Sequence, residues 1–436
     1  MNRQRLMILG ILMLALIVWG IDLFLHPVTW SGMVLRKQLI YLSGIIAFLF
    51  MGLIMVLSVR PRRLERWFGG LDQMYGLHKW AGIFAIGFAT LHYLIKLGKP
   101  VFAYLFGPGP AKGPKPELFG FEGWLKGFSG IAKDLGEYLV YFLMVMLVIT
   151  LWQKFSYKIW RHLHRLMAPV FIVLAFHSLV LMPFAYWATP AGIVIVLVSI
   201  IGSIAALWAM FGKIGAAVTQ QGKVIGIQHH HGLIEVTCQL PKSLHHQAGQ
   251  FAFLRTSAIE GAHPFTLSCA DQGNGQVRFS IKDLGDYTHL LMQNLCVGDA
   301  VTVEGPYGCF QYNDESPQIW VAGGIGITPF LAWLEAMVNN LNMRPEVDLY
   351  YCVKAPQDAI YAAHLEALIR TLPNVRFHRH ISDEAGFLTM AKIAAQSPQA
   401  KAIWFCGPKP FAKSLRKDLP KHLPNASFHQ ERFNFR

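Results

Sequence analysis

The segments LHKWAGIFAIGFATLHY (residues 77–93) and LHRLMAPVFIVLAFHS (residues 163–178) decide the fold of the N-terminal half of the chain. Each is an apolar run with a histidine near either end: His78 and His92 in the first, His164 and His177 in the second. Intervals of 14 and 13 residues are close to four helical turns, so each pair projects from one face of its helix. Side by side in a hydrocarbon core about 30 Å thick, two such helices would place one facing pair near each leaflet.

Matched pairs of intramembrane histidines favour metal ligands over packing residues. A lone histidine on an apolar helix is more often a hydrogen-bonded packing residue, but two pairs at one spacing are poorly explained that way. Because the two spans run in the same direction, we expect these facing pairs: His78 with His164, and His92 with His177. Small side chains between His78 and His92 leave room for flat macrocycles, and Phe171 is placed as an aromatic filler between the two levels. Neutral imidazole is a usual axial ligand of haem iron, so the pattern predicts two bis-histidine haem sites.

Six apolar stretches reach or approach the length that crosses a bilayer: residues 6–25, 38–59, 77–96, 136–153, 162–185 and 189–212. The first is longer than the apolar region of a signal peptide, and no small-residue cleavage site follows it, so we expect a retained span. Basic residues cluster at the N-terminus and in the loops after the second and fourth spans. The positive-inside rule then places these loops and the C-terminal half in the cytoplasm of a multi-pass cell-membrane protein. Residues 97–135, which are rich in Gly and Pro, are expected to form an irregular outward loop.

The basic excess belongs to the apolar half. Residues 1–212 contain 19 Lys and Arg against 7 Asp and Glu, whereas residues 213–436 contain 20 against 18. Orientation of membrane loops explains this asymmetry better than nucleic-acid binding, which we do not expect. All six cysteines lie in the second half without a C-x-x-C pair, which favours free thiols in a reducing compartment over zinc sites or disulfides. The run His229–His231 falls in a predicted surface turn and is read as a solvated loop.

The pattern of apolar and polar residues changes at about residue 216, from long apolar stretches to short ones. Short β-branched runs separated by turn residues, such as KVIGIQ and LIEVTCQL, predict a small antiparallel β-barrel. From about residue 317 strands alternate with helices, which predicts a doubly wound parallel α/β sheet. We therefore expect a multi-domain chain: an all-α transmembrane domain over 1–212, a β-barrel over 213–314 and an α/β domain over 315–436.

The stretch VAGGIGITPF (residues 321–330) follows a predicted strand and opens a predicted helix. Its glycines let backbone N–H groups approach a pyrophosphate, and the helix dipole favours the negative charge. The spacing differs from G-x-G-x-x-G, so an ordinary Rossmann dehydrogenase is not the best match. Lys354 follows the predicted strand DLYYCV, where no acidic residue stands to bind a ribose hydroxyl, and this favours NADPH over NADH.

Six motifs succeed one another in the second half: HPFT (263–266), IKDLGDYT (281–288), GPYG (305–308), GGIGITPF (323–330), CGPKPF (406–411) and ERF (431–433). Their order resembles the ferredoxin-NADP reductase superfamily. With six spans ahead of them, and with LDQMYGLHKWAG (71–82) and WRHLHRL (160–166), the chain resembles the ferric reductase / NADPH oxidase family over nearly its whole length.

The resemblance implies roles for particular residues. The flavin ring would be held by residues of HPFT, with Thr266 near its N5 and His263 at the ring or ribityl chain: His263, Pro264, Phe265 and Thr266. The FAD phosphates would meet three residues of the next motif: Lys282, Gly285 and Thr288. The nicotinamide dinucleotide would be cradled by Gly323, Gly324, Gly326, Thr328 and Pro329, with Cys406 and Gly407 beside the nicotinamide. The family's terminal aromatic, which stacks on the flavin, matches Phe433, although three further residues leave Phe435 open. Cys406 as a nucleophile is the alternative, but no base is placed by sequence to activate it.

The resemblance also implies an activity. Cytoplasmic NAD(P)H would reduce FAD, and single electrons would pass through an inner haem (His78/His164) and an outer haem (His92/His177) to an acceptor outside. A ferric chelate is the favoured acceptor, and reduction of O2 to superoxide is the alternative. A third reading, a membrane-anchored flavin reductase that serves a partner protein, needs no haem. No obligate protein partner is expected.

Overall fold

Two compact units make up the chain. The computed structural model describes residues 3–107, 118–152, 154–256, 261–313, 316–339 and 345–431. One unit comprises residues 1–68 with 73–214, and the other comprises residues 69–72 with 215–436. Each unit has its own hydrophobic clusters.

Among its described residues, the first unit has helices and no β-strands. Its helices are α1 (Arg3–Leu25), α2 (Gly32–Ser58), α3 (Arg62–Phe68), α4 (Leu71–Leu97), α5 (Lys99–Phe106), α6 (Gly120–Gly127), α7 (Ser129–Leu151), α8 (Tyr157–Arg165), α9 (Met167–Leu181) and α10 (Pro190–Met210). Six helical stretches are long and apolar enough to cross a membrane: Arg3–Leu25, Gly32–Ser58, Leu71–Leu97, Gly120–Leu151, Ile159–Leu181 and Pro190–Met210. The six predicted spans are therefore confirmed as six candidate membrane helices.

Helix α2 packs at the centre of this unit, in contact with α1, α9 and α10. Its middle turns are apolar on every side and buried, as expected of a helix surrounded by other helices. Small residues let the neighbours approach: a Cβ on Gly52 would lie 2.4 Å from Val198 Cγ1 of α10. Close backbone approach of this kind replaces the hydrophobic effect as the source of packing between membrane helices.

One expectation about this unit is wrong. Residues 97–135 are not an irregular loop, because α5, α6 and the start of α7 occupy the described parts of it. The apolar, aromatic sequence KPVFAYLF begins with a proline in the first turn, where the missing N–H costs nothing, and so forms a helix. The predicted span 162–185 corresponds to the candidate membrane stretch Ile159–Leu181, within which the helix is interrupted between α8 and α9. Pro169 lacks the N–H that would bond to the carbonyl of Arg165, the last residue of α8.

The second unit contains two sheets. The strands of the first are β1 (Thr219–His230), β2 (Leu233–Gln239), β3 (Phe251–Thr256), β4 (His263–Thr266), β5 (Gln276–Lys282) and β6 (Ala300–Tyr307), with α11 (Asp286–Asn294) before β6. Pairing is antiparallel, in the order β4-β3-β6-β1-β2-β5. An isolated bridge from Leu267 to Phe279 links the chain after β4 to β5. The antiparallel sheet was predicted; a fully closed barrel stays a prediction, since only this bridge joins the two ends among the described strands.

The second sheet is parallel, as predicted. Its elements are β7 (Gln318–Gly323), α12 (Thr328–Asn339), β8 (Val347–Val353), α13 (Ala362–Ile369), β9 (Val375–Ile381), α14 (Ser382–Ala385), α15 (Met390–Gln396), β10 (Ala402–Cys406), α16 (Lys409–His422) and β11 (Ser427–Gln430). The strand order is β11-β10-β7-β8-β9. Apolar clusters cover both faces, so the strands read as continuous apolar runs. The fully buried Trp320 and Trp333 each contribute about 2–3 kcal/mol to this core.

This strand order creates a switch point between β7 and β10. The chain leaves β7 toward β8 on one side and returns to β10 on the other. In open α/β sheets, ligands bind outside the carboxyl ends of the strands at such a point. The glycine-rich turn after Gly323 and the CGP turn after Cys406 both emerge there.

Candidate functional site

The first histidine pair, His78 and His164, lies face to face in the structure. Their ring centroids are 6.0 Å apart and the ring planes are tilted by 58°. Imidazole nitrogens about 2 Å from one shared metal ion put the two ring centroids roughly 6 Å apart. Trp160 stacks on His164, at 4.8 Å between centroids, and steadies that ring. The separation therefore fits a single iron held from both sides.

The second histidine pair, His92 and His177, is oriented by backbone carbonyls. The Nδ1 of His92 lies 2.9 Å from the carbonyl oxygen of Ile40, and the Nδ1 of His177 lies 2.6 Å from that of Ala132. A carbonyl only accepts, so each Nδ1 carries the proton and donates. Each Nε2 then keeps its lone pair for a metal, as in the ligand–carbonyl arrangements of known metal sites.

One helix orients a ligand of each pair. The ring of His92 hydrogen-bonds to the backbone carbonyl of Ile40, and the backbone carbonyl of Ile54 faces the ring of His78. Ile40 and Ile54 are 14 residues apart on α2, which is the spacing of the two histidines on α4. The two helices run antiparallel in register, and α2 supplies one carbonyl at each level. Sequence reasoning missed this support, because a carbonyl acceptor leaves no signal in side-chain identity.

Glycines lie against the second pair. A Cβ on Gly136 would stand 2.3 Å from His177 Cε1, and a Cβ on Gly44 would stand 3.1 Å from His92 Nδ1. One turn after His78, a Cβ on Gly82 would meet no atom within 4 Å, so that position offers open space. Glycines thus let neighbouring helices approach the rings of the second pair closely. The absence of a side chain at Gly82 leaves space one turn from His78.

Phe171 packs between helices. It is 2% exposed and stacks on Phe48, with centroids 5.5 Å apart, and it lies over Gly202 of α10. It therefore belongs to the core between α2, α9 and α10. Among the described residues, no group of three or more His, Cys, Asp or Glu side chains gathers as a metal site made by protein alone. The histidines come together as pairs, which is the ligand number that a haem leaves to the protein.

The motifs HPFT and GDYT meet in the second unit. HPFT forms β4, which pairs with β3, and Thr266 at its end is buried. The ring of His263 stacks on Tyr287 of α11, with centroids 3.5 Å apart and planes 22° from parallel. Burial raises the pKa of Tyr287 to about 12. Tyr287 was not singled out from the sequence, although its place inside a recognised motif was the signal that could have found it.

The start of α11 is organised by Thr288. Its hydroxyl accepts from the backbone N–H of Leu284 and Gly285, at 2.9 and 3.1 Å, and donates to the carbonyl of Gly285 at 2.9 Å. The hydroxyl therefore shapes the turn that opens the helix. Lys282 ends β5 just before this turn, so a basic side chain and a helix N-terminus lie on one short segment.

The glycine-rich turn after β7 is packed against the CGP turn. A Cβ on Gly326 would lie 2.1 Å from the carbonyl oxygen of Cys406, and one on Gly323 would lie 2.7 Å from Pro408 Cδ. Gly324 has a φ of +57°, a backbone conformation that L side chains rarely adopt. Three positions of this turn therefore require glycine for reasons of space or conformation.

The remaining predicted residues of this domain lie near the same strand ends. Thr328 and Pro329 begin α12 and are buried, and the Thr328 hydroxyl donates to the carbonyl of Ile325 at 3.1 Å. Gly407 directly follows β10, with a φ of +158°. Lys354 directly follows β8 and is exposed. Phe433 and Phe435 lie outside the described residues.

Cys406 and Glu431 form a buried pair at the end of β10. The thiol sulfur lies 3.7 Å from Glu431 Oε2, and Glu431 Oε1 is buried without a hydrogen-bond partner. Burial raises the pKa of the thiol well above its ordinary value, and the nearby carboxyl adds to the effect. Burial likewise raises the pKa of Glu431 well above the ordinary range. The raised pKa of the thiol disfavours Cys406 as a thiolate nucleophile. In the sequence, Glu431 is marked only as a member of the ERF motif.

Three family descriptions match the chain in order. Residues 43–175 match a ferric reductase like transmembrane component, residues 223–311 an FAD-binding domain, and residues 320–417 an oxidoreductase NAD-binding domain. The chain is thus a multi-pass membrane oxidoreductase with FAD-binding and NAD-binding domains. Its domain architecture is that of the ferric reductase / NADPH oxidase family, in which a transmembrane component is fused to a ferredoxin-NADP reductase-like module.

Curated relatives match part of the chain. The reductase component of propane 2-monooxygenase from Rhodococcus jostii is 27% identical over 187 residues, which are 39% of this chain and 50% of the relative. A flavohemoprotein of Xylella fastidiosa is 27% identical over 206 residues, covering 43% of this chain and 51% of the relative. The chain spans about half the length of these relatives.

Solved structures are similar to about half of the chain. A cytochrome P450 reductase of Amycolatopsis has a TM-score of 0.45 and 21% identity, covering 49% of this chain and 69% of its own. Phthalate dioxygenase reductase has a TM-score of 0.42 and 20% identity, covering 49% of this chain and 67% of its own.

Proposed function

We propose that the chain is a transmembrane reductase that passes electrons from cytoplasmic NADPH, through FAD and two b-type haems, to a ferric chelate outside the cell membrane. The observation that carries this proposal is the pairing of four histidines at two levels of one helical unit. Its supports are the ring separation of 6.0 Å in the first pair and the carbonyl-fixed tautomers in the second.

Two pairs of ligands would hold the haems. His78 and His164 would form the inner site, on the cytoplasmic side, and His92 and His177 the outer site. A haem with both axial positions filled by protein carries single electrons and leaves no iron position for a substrate. The role of this chain is to hold the imidazoles in one tautomer and to keep the two levels about 20 Å apart along the helix.

The second unit would bind the two dinucleotides in a domain over 213–314 and a domain over 315–436. FAD is proposed to lie along HPFT and the start of α11, where His263 and Tyr287 stack and Lys282 supplies a positive charge. NADPH is proposed to lie on the glycine-rich turn. Bound flavin takes a hydride and returns electrons singly, which links a two-electron donor to a one-electron carrier.

Two further features support the NADPH side of this proposal. Cys406 and Glu431 lie at the switch point, where burial raises the pKa of both groups and so disfavours their negatively charged forms. Lys354 is exposed directly after β8, where a 2′-phosphate would gain a positive partner. An Lys354→Ala substitution should weaken NADPH more than NADH, which is measured as the ratio of the two values of kcat/KM.

A different function has one observation in its favour. Curated relatives that match part of the chain include reductase components of oxygenases, such as the propane 2-monooxygenase of Rhodococcus jostii. A membrane-anchored flavin reductase that serves a partner protein would keep the dinucleotide sites and need no haem. Haem content of the purified chain separates this function from the proposed one.

The experiment uses the full chain in lipid nanodiscs with FAD and haem supplied. NADPH or NADH is added with ferric citrate or with O2, and both Fe(II) and superoxide are measured, with superoxide dismutase as the control for iron reduced indirectly. The proposal expects Fe(II) formation that superoxide dismutase does not suppress. Fe(II) that disappears with the dismutase would instead assign the chain to superoxide production.

A further inference from the structure

A polar cluster lies beside the second histidine pair, formed by Tyr93, Lys96, Glu137 and Tyr141, and is called here the α4–α7 cluster. Lys96 Nζ lies 2.7 Å from Glu137 Oε2, and the Tyr93 hydroxyl donates to Glu137 Oε1 at 2.7 Å. The Tyr93 and Tyr141 hydroxyls are also hydrogen-bonded to each other. The side chains of Lys96 and Glu137 are 41% and 38% exposed. An ion pair and two hydrogen bonds thus join α4 to α7.

The α4–α7 cluster is built onto the ligand residues. Tyr93 directly follows His92, and Lys96 lies one helical turn beyond it. Glu137 directly follows Gly136, whose Cβ position is in contact with the ring of His177. Lys96 lies one turn from His92 and is ion-paired to the residue that adjoins the glycine packed against His177. Its ammonium is therefore a positive charge shared by the two ligands of one site, and Glu137 is its partner.

We propose that Lys96 and Glu137 are positioning residues of the outer haem that set its reduction potential with opposite signs. Reduction adds one negative charge to the site, so the nearby ammonium favours the reduced state and the carboxylate opposes it. Glu137 also holds Lys96 in place, and the pair ties α4, which carries His92, to α7, whose Ala132 carbonyl and Gly136 lie against His177. The inference rests on the proposed function, because it requires a haem between His92 and His177.

The direction of the shift in reduction potential distinguishes an effect of the two charges from a purely structural role of the ion pair. If the pair only braced the helices, loss of either partner would disturb the same site, and both variants would change the potential in one direction. If the charges act on the site, loss of the cation lowers the outer potential and loss of the anion raises it. The inner site lies about 20 Å away along α4, so its potential should stay where it is in both variants.

The test is a spectroelectrochemical titration of the full chain with haem bound. We expect Lys96→Met to lower the outer potential by about 59 mV, which is a tenfold change in a one-electron equilibrium constant. Glu137→Gln keeps a hydrogen bond to Tyr93 and should raise the outer potential, and the double variant should lie between the two single variants. Lys96→Arg keeps the charge and should restore the wild-type value. Lys99→Met is the matched control, since it removes a cation from the next helix.

Shifts of one sign in both single variants, or no shift in either, would overturn the inference. If Lys96→Met fails to bind haem, Lys96→Gln takes its place, because the comparison of signs needs loss of the cation as well as loss of the anion. A wild-type chain with fewer than two haems refutes the proposed function itself. That result is read from the haem-to-protein ratio before any potential is measured, so the two failures are distinguishable.

Discussion

Gly136→Ala should displace one ligand of the outer haem site. The added methyl group would lie 2.3 Å from His177 Cε1 and 2.4 Å from His177 Nδ1, well inside van der Waals contact. The ring cannot simply move away, because its Nδ1 donates to the carbonyl of Ala132 at 2.6 Å. Overpacking of this kind costs about 1–3 kcal/mol, enough to break the hydrogen bond or to shift α7.

The expected result is loss of the outer haem with the inner haem retained. Substitutions at two other glycines should reduce the haem content by less. A Cβ on Gly44 would lie 3.1 Å from His92 Nδ1, so Gly44→Ala should weaken the outer haem without abolishing it. Gly130 is on the same helix as Gly136, and a Cβ there would meet no atom within 4 Å, so Gly130→Ala should be silent. Haem-to-protein ratios and reduced spectra of the three variants are the assay. Equal haem content in all three would refute the reasoning that glycine permits the close approach.

Three further predictions concern the second unit. Iodoacetamide at pH 7 should label the exposed Cys296 well before Cys406, because burial raises the pKa of the Cys406 thiol. Mass spectrometry of timed samples measures the two labelling rates, and equal rates would contradict this prediction. Tyr287→Ala should weaken FAD binding by up to about tenfold because the stack on His263 is lost, whereas Tyr287→Phe should not; fluorescence titration of FAD measures both. Asp348→Asn should destabilise the α/β domain by about 2 kcal/mol in urea unfolding, since the buried carboxylate accepts charged hydrogen bonds. These bonds outweigh burial and hold the pKa of Asp348 below its usual range, so its contribution is present above about pH 4 and is lost as pH falls further.

The membrane unit was predictable where one periodicity governs. A spacing of about four helical turns on apolar segments identified the histidines. In a helix, the number of residues between two positions fixes both the face on which they lie and their separation along the axis. The break between α8 and α9 was missed, although Pro169 stands four residues after Arg165 and removes one hydrogen bond. The length of the apolar run predicts one continuous span, and the loss of a single backbone N–H at Pro169 does not change that local pattern.

Partners contributed by the backbone could not be predicted. The carbonyls of Ile40 and Ala132 orient ligands on other helices, and any residue type supplies a carbonyl. Glycines such as Gly136 are conspicuous in sequence, yet which of them meets a ligand depends on how helices far apart in the chain pack together. These features belong to tertiary packing, which a local pattern does not encode.

The second unit shows the same division. Alternating and apolar strand patterns were sufficient for an antiparallel and a parallel sheet, and the glycine-rich turn was recognised from its strand–turn–helix context. The switch point needed the strand order, which local patterns do not contain. Glu431 became a site residue only when β10 and the end of β11 brought it to Cys406 across 25 residues of sequence.

The haem content of the purified full chain tests the central claim most directly. A dithionite-reduced spectrum and a haem-to-protein ratio should give two six-coordinate b-type haems per chain. Each of four variants should remove one of them: His78→Ala and His164→Ala the inner haem, His92→Ala and His177→Ala the outer haem. A wild-type chain without haem, or histidine variants with undiminished haem content, would contradict the account.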